Sequence, residues 1–385
     1  MNSLTVLHAA DLHVGLRFLS HGEASQPLSA ARFEVVDRVV EAASQASADI
    51  LVLAGDLFDR TRIAKTDIER VCESLAGFSG ACVLVLPGNH DYFSPESALW
   101  SDFCREAGEH VLLLAETGPY RLDDYGLPCD VWAAPCTSKT SSQHVLPTEL
   151  PATRHPGRFQ LGVAHGSLIG VSPDPKLQYY PMTREDLDAT GVDIWLLGHT
   201  HVPWPEIPDP GIRVYNPGTP EPDGFDYTRS GGVFLHTLLL PEVDSSDESR
   251  PESRRAQLTS RFIATGQFRF EHHERTITGV PAEDFLSDIP DHTDAAKTCV
   301  RLRVHGRIDP DSRTRYHALR DELRARLLLL EVDESELHTR ITADTIGDHF
   351  PSASFPAELL TRLSEDGDDE AMDQAFRLLE QVKGS

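Results

Sequence analysis

Short apolar runs that break abruptly into polar clusters set the rhythm of this chain. Leu4 to Ala10 breaks into Asp11-Leu12-His13, and Ile50 to Ala54 into Gly55-Asp56-Leu57-Phe58-Asp59. Val83 to Leu86 ends at Pro87-Gly88-Asn89-His90-Asp91, Leu161 to Ala164 at His165-Gly166, and Ile194 to Leu197 at Gly198-His199-Thr200-His201. Apolar runs this short, closed by Gly or Pro, predict buried strands. Between them, Phe33, Val36, Val39, Val40 and Ala43 share one helical face, as do Ile68, Val71, Cys72 and Leu75. Strands alternating with helices predict an α/β fold with a largely parallel, helix-covered sheet.

Cys129 to Lys139 reads as a further strand with its exit loop, and residues 140–158 as a long surface loop at the site's edge. Strands near Ile212 to Tyr215 and Gly232 to Leu240 are expected to close a second sheet. Residues 241–260 are Asp, Glu, Ser, Arg and Pro with almost nothing to bury, which predicts a flexible linker after a 1–240 catalytic domain. Beyond it, strands over Gln267 to Ile277 and Thr298 to His305 precede an amphipathic helix with apolar positions 316, 319, 323, 327 and 330. These make a small α+β domain over 261–335. A helical segment, 336–385, carries a stripe of Met372, Ala375, Phe376, Leu379 and Val382. The stripe fits packing onto the small domain, or a docking surface for a partner.

The polar clusters matter because strand carboxyl ends lie along one edge of an open α/β sheet, where ligand sites form. Asp11, His13, Asp56, Asn89, His165, His199 and His201 would then meet at one rim. Oxygen and nitrogen donors without a thiolate suit Mn, Fe or Zn rather than a cysteine-built structural zinc site. Seven donors exceed what one tetrahedral ion can use and suit two. One carboxylate, most naturally Asp56, can give an oxygen to each of two ions about 3.5–4 Å apart.

The ordered set D-x-H, G-D-x-x-D, G-N-H-D, H-G and G-H-T-H resembles the calcineurin-like metallophosphoesterases. Ala10-Asp11-Leu12-His13-Val14-Gly15, Leu53-Ala54-Gly55-Asp56-Leu57-Phe58-Asp59 and Tyr215-Asn216-Pro217-Gly218-Thr219-Pro220-Glu221 look like its DNA-repair exonuclease branch (SbcD/YhaO-like). Thr219 stands where that branch has Ser, and Arg229-Ser230-Gly231-Gly232 where it has a lysine. The resemblance spans residues 1 to about 240. It implies a four-layer αββα sandwich capped by the smaller α+β domain, with Asp11, His13 and His201 on one ion, Asn89, His165 and His199 on the other, and Asp56 between them. It further implies two divalent ions, by habit Mn, and an activated hydroxide that attacks phosphorus in line. His90 would stabilise the transition state or protonate the leaving oxygen, Asp91 would orient its ring, and Asp59 would brace the second loop. The implied activity is a DNA exonuclease or phosphodiesterase in repair, dimeric, working with an SMC-like ATPase (SbcC/YhaN-like). Small phosphomonoesters, phosphodiesters or cyclic nucleotides are the alternative substrates. A non-catalytic scaffold is the remote alternative, disfavoured because every ligand and His90 are present.

Composition changes this picture in one respect. The 385 residues carry 61 Asp and Glu against 35 Lys and Arg, a net charge of −26, whereas a nucleic-acid binder is expected to show a basic footprint. Either the surface is adapted to high salt or the chain does not hold DNA unaided. Arg60, Arg62 and Lys65, and Arg154, His155 and Arg158, are the local basic spots; solvated surface is the commoner role for such spots. Six cysteines (72, 82, 104, 129, 136 and 299) show no C-x-x-C pair and read as buried small hydrophobes or free thiols. No apolar run approaches the roughly 18 residues of a membrane span, and the first strand begins too early for a signal peptide, so the cytoplasm is expected. Tyr92, Phe93 and Trp204 flank the ligands, as packing or as surfaces for base stacking. Ser167 and Cys136 have no partner pattern for nucleophilic catalysis.

Overall fold

The computed structural model describes residues 2–143, 146, 157–227, 229–240, 255–290, 294–341, 346–347, 349–367 and 369–383. These divide into two compact units, 1–269 and 270–385. The first contains two sheets. Strands β1 (Ser3–Ala9), β2 (Ile50–Ala54), β3 (Cys82–Leu86) and β4 (Val111–Leu113) run parallel, with β10 (Gly232–Leu239) and β11 (Gln257–Ala264) added antiparallel beside β1. The second sheet orders β5 (Gly118–Arg121), β6 (Cys129–Ala134), β7 (Phe159–His165), β8 (Ile194–Gly198) and β9 (Val214–Tyr215), parallel from β6 onward.

Strands β2, β3, β6, β7 and β8 are buried at every position, which explains their unbroken apolar runs: a parallel sheet covered on both faces has no solvent side to alternate with. One set of alternate side chains, Leu7, Leu51, Leu53, Val83 and Val85, packs under helices α1 (Ser25–Gln45), α2 (Lys65–Ala76) and α3 (Ala98–Glu106). The other set, Val6, Val52 and Leu84, meets Val131, Val163 and Leu196 between the sheets. The outer face of the second sheet, Trp132, Trp195 and Leu197, is covered by loops and the short α4 (Arg184–Ala189). The layers are those of an αββα sandwich whose last layer is thin.

Two expectations need correction. The run Gly232 to Leu240 joins the first sheet instead of the second. Its alternate residues divide between the helix-side core (Val233, Leu235) and the inter-sheet core (Phe234, Leu238), and an apolar run alone does not specify which edge it pairs with. The expected linker is also too long at its end. Residues 257–260 lie in β11, and the division falls after Arg269. Residues 241–254 lie outside the described residues, as does most of the 140–158 loop.

The second unit has a three-stranded sheet of β12 (Arg269–Gly279), β13 (Thr298–Ile308) and β14 (Leu329–Thr339), with α5 (Arg313–Arg326) crossing between the parallel pair β13 and β14. Val300, Leu302 and Val304 pack with Tyr316 and Leu323, while the alternate positions Arg301 and Arg303 pair with Glu331 and Glu336. The helix expected through position 330 ends at Arg326. Leu330 instead pairs with Val300 in β14, because four consecutive leucines, 327–330, continue a helical spacing and a strand equally well. The C-terminal stripe packs Met372, Ala375, Phe376 and Leu379 of α7 (Asp369–Lys383) with Leu360 of α6 (Phe355–Asp366), leaving Val382 exposed. Among the described residues, no helix is long and apolar enough to cross a membrane.

Candidate metal centre

Five strand ends deliver the expected donors to one place, and the backbone is strained where they arrive. Seven described non-glycine residues have positive φ. Four of them are Asp11 (55°), His13 (48°), Asp56 (52°) and His199 (102°). Left-handed backbone outside glycine costs of order 1–3 kcal/mol per residue and persists only where surroundings impose it. Here the imposition is visible: Asp11 N–H donates to the Gly55 carbonyl (3.1 Å) and His13 N–H to the Asp56 carbonyl (2.9 Å), lacing the first two loops together. Two motif glycines permit the approach. A Cβ on Gly55 would lie 2.0 Å from His165 Nδ1, and one on Gly88 would lie 2.2 Å from Asp56 Oδ1.

The donor atoms converge. His13 Nε2 and His201 Nε2 are 3.1 Å apart, and the Asp11 carboxylate lies 3.8 Å from His201 Nε2. Asn89 Oδ1 is 3.0 Å from both His165 Nε2 and His199 Nδ1. Asp56 Oδ2 sits between the groups, 3.6 Å from His13 Nε2 and 3.3 Å from His165 Nε2, while its Oδ1 accepts from His90 N–H at 2.8 Å. Nitrogen and oxygen lone pairs gathered this closely fit a pair of divalent cations, and the absence of thiolate keeps the set hard to borderline. Burial works to raise the Asp56 pKa, but His165, His13 and His90 outweigh it and hold the carboxyl well below its ordinary value. His199 goes the other way, pushed down to about 3 by burial and by His165.

A second layer fixes the rings. His201 Nδ1 faces Asp223 Oδ2 at 2.7 Å, His13 Nδ1 faces Asp59 Oδ1 at 3.7 Å, and His165 Nδ1 faces the Ala54 carbonyl at 2.9 Å. Behind Asp223 stands Arg32 of α1, fully buried. It donates to Thr219 Oγ1 (3.0 Å) and the Leu12 carbonyl (3.3 Å) and lies 3.5 Å from Asp223 Oδ2. Neither Asp223 nor Arg32 was expected from sequence. The segment similar to the repair branch, Tyr215 to Glu221, stops two residues short of Asp223. Arg32 did leave a signal: a charged residue on the apolar face of a helix, next to Ala31 and before Val35 and Val36, is seldom buried unless paired.

Asp91 does not orient His90. Its carboxylate accepts from Gly88 N–H (2.7 Å) and Phe58 N–H (3.0 Å), tying the third loop to the second. Adjacent residues on a turn send their side chains apart, so the acid cannot reach its neighbour's ring. His90 Nδ1 lies instead 3.0 Å from the Asp59 carbonyl, which can only accept, so that nitrogen carries the proton and Nε2 is left for a ligand. Asp59 thus braces the loop and also positions His90. Phe93 packs against the helix-side core, and Tyr92 lines a separate cleft with Thr61 and Arg62. Ser167 donates to Asp174 (2.8 Å). Three of the basic residues are engaged as well. Arg60 pairs with Asp59, Lys65 with Glu69 and Glu106, and Arg158 with Asp123 and Asp130; Arg154 and His155 lie outside the described residues.

Comparison with known proteins agrees with this geometry. Residues 4–203 match the family profile described as calcineurin-like phosphoesterase. The chain is 29% identical over 221 residues to the uncharacterized metallophosphoesterase YhaO of Bacillus subtilis, covering 52% of this chain and 49% of that one. It is 25% identical over 234 residues to the DNA double-strand break repair protein Mre11 of Methanopyrus kandleri, covering 57% and 49%. The chain therefore spans about half the length of these curated relatives. Among solved structures, TT1561 of Thermus thermophilus aligns over 56% of this chain and 89% of its own, at 14% identity and a TM-score of 0.35. By the profile match over more than half its length, the chain belongs to the calcineurin-like phosphoesterase family.

Proposed function

We propose that the chain hydrolyses phosphodiester bonds in DNA as a two-metal exonuclease or phosphodiesterase of repair type. In this reading, Asp11, His13 and His201 would hold one ion and Asn89, His165 and His199 the other, with Asp56 available to both. Manganese fits the oxygen and nitrogen donor set. The observation that carries the phosphoesterase chemistry is the placement of Asp56 Oδ2 between His13 and His165, with a further donor group on each side. The kinship with archaeal Mre11 supports DNA as the substrate.

When bound, the metal pair supplies charge stabilisation for a phosphate and lowers the pKa of a coordinated water. The chain's residues do the rest. Asn89, being neutral, limits the negative charge gathered at a site that must accept a phosphate anion. His90, held at Nδ1–H by the Asp59 carbonyl, presents Nε2 to the phosphate or the leaving oxygen; as the imidazolium, with both ring nitrogens protonated, it donates the Nε2 proton or stabilises the transition state. The four-residue belt of strained backbone keeps these groups from relaxing when substrate arrives.

The charge of −26 and the ion pairing of Arg60, Lys65 and Arg158 leave little to grip a phosphate backbone. We infer that DNA is presented by a partner, for which an SMC-like ATPase is the proposed candidate. The same charge favours a second reading, a small phosphoester as substrate. The deciding experiment is Mn-dependent cleavage of end-labelled DNA beside p-nitrophenyl phosphate esters, with Asp56→Ala and His90→Ala as controls. DNA degradation lost in both variants is the expected result. Ester hydrolysis with DNA left intact across a salt series overturns the nuclease reading in favour of the small substrate.

A further inference from the structure

A cavity of about 550 Å³ opens beside the metal centre, lined by Val171, Thr200, Val202, Trp204, Tyr227 and Arg229, among others. Its volume falls within the roughly 300–1,000 Å³ of small-molecule sites. Thr200 and Val202 alternate in sequence with the donors His199 and His201, so the loop that supplies two donors also supplies a wall of the cavity. Trp204 is set in place. Its N–H and carbonyl exchange hydrogen bonds with Asn216 at 2.8 and 2.7 Å, and the Arg184 guanidinium lies 5.2 Å from its ring centroid.

The chemistry of the walls argues against a phosphate in this cavity. Arg229 is ion-paired to Glu206, which also lines the space, so the pair offers no net positive charge. The remaining walls are two aromatic rings, two valines, two prolines and a threonine. Such a site suits a flat, uncharged aromatic group with polar edges, attached to a phosphate that sits at the adjacent metal centre. We propose that the cavity is a nucleobase subsite, receiving the base of the nucleotide next to the scissile phosphate and stacking it on Trp204. This rests on the phosphodiesterase reading above, but not on DNA being the polymer.

Two phosphodiesters that release the same p-nitrophenolate test it: thymidine 5′-p-nitrophenyl phosphate and methyl p-nitrophenyl phosphate. Base–aromatic stacking is sequence-tolerant and predicts a kcat/KM ratio of roughly 5- to 150-fold in favour of the nucleoside ester. Trp204→Leu and, on the opposite lining segment, Tyr227→Ala should each lower that ratio. A direct readout is available because Trp100, Trp132 and Trp195 are at most 5% exposed, leaving Trp204 as the accessible indole. Thymidine 5′-monophosphate should quench the fluorescence of the intact chain, and deoxyribose 5-phosphate should not. A ratio near one, a ratio unchanged in both variants, or equal quenching by the two phosphates overturns the subsite. If DNA is left intact while the ester ratio depends on Trp204, the nuclease reading fails and the subsite stands. Cleaved DNA with a flat ester ratio has the opposite meaning.

Discussion

The two halves of the candidate metal centre share the Asp56 carboxylate and meet where His199 N–H donates to the Asp11 carboxylate at 3.0 Å, but they differ in what backs their rings. Around Asp11, His13 and His201, the rings are backed by acids: Asp223 behind His201 and Asp59 behind His13. Around Asn89, His165 and His199, the backing is a neutral backbone group, the Ala54 carbonyl behind His165. The first half is also the more open, with the His201 side chain 36% exposed and that of His165 fully buried. One sheet edge therefore presents a group of donors backed by acids beside a group backed by a neutral carbonyl. The lesson concerns how each is held: the first by ion pairs reaching back to Arg32, the second by a backbone carbonyl behind His165 and the close approach that glycine at position 55 permits.

The largest effect should come from the group that both halves use. Asp56→Ala is expected to reduce bound metal below two per chain and to lower phosphoesterase activity by on the order of 10³-fold or more, since even one preorganised electrostatic group is worth about 10²–10³. Metal content after gel filtration, measured beside the rate, checks this. A variant that still holds two ions at wild-type affinity would mean that Asp56 does not bridge. His90→Ala should separate chemistry from metal binding. A loss of about 10²–10⁴ in kcat with both ions retained is expected of a proton donor. Loss of an ion in this variant would show that His90 is a ligand, which its proximity to His13 and Asp59 makes worth measuring.

Next in size is the test of the asymmetry itself. Removing an outer-layer partner of a metal-bound histidine typically costs about 10–100-fold in affinity. Asp223→Asn keeps the shape but discharges the acid behind His201, so calorimetric titration with Mn should split into two phases, with only the weaker phase shifted. Equal weakening of both sites would contradict the division into separately supported halves. Arg32→Met should produce a smaller shift in the same phase, because Arg32 stands one step behind His201, beyond Asp223.

Much of this centre was legible in the sequence. Every strand end and every donor could be placed, because a strand buried on both faces writes an unbroken apolar run and its exit shows as the first polar residues. What supports the donors was harder to read. Asp223 lies on a loop whose path back to His201 is set by tertiary packing, and the Asp59–His90 contact uses a backbone carbonyl, which no residue type announces. The role expected of Asp91 failed for a related reason. Adjacency in sequence suggested a pair, while the turn sends its carboxylate to two backbone amides. The added strands β10 and β11 show the same limit at the level of the sheet. The apolar positions of β10 mark it as buried, but the edge it occupies depends on its pairing with β1, Val6 beside His236, and β11, with Leu258 as its one buried position, joins through β10 rather than by a local pattern of its own.

The smallest effect expected tests the neutral half from beneath. His8 of β1 is fully buried, and its Nε2 bonds the carbonyl of Leu197 (3.0 Å) on β8, the strand that leads to His199. The His236 ring lies 5.7 Å away, bonded through Nδ1 to Ser260 Oγ (2.8 Å), and the Tyr215 ring packs edge-on against it at 4.8 Å. Burial lowers the His8 pKa to about 3, the Leu197 carbonyl opposing it only in part, and burial together with His8 lowers His236 well below its ordinary value. Both rings must therefore fold neutral. The sign follows: an unfolded histidine takes up a proton near pH 6.5 and a folded one does not, so stability is intact above that pH and falls as the pH drops toward the folded pKa. Each such ring costs about 1.4 kcal/mol per pH unit across this window, or roughly 2 kcal/mol for His8 at pH 5. Urea unfolding between pH 6.5 and 4.5 should show a slope that His8→Gln reduces by about one proton, whatever the variant's absolute stability. An unchanged slope would mean that His8 is protonated in the folded chain, with a positive charge lodged against the strand that leads to His199.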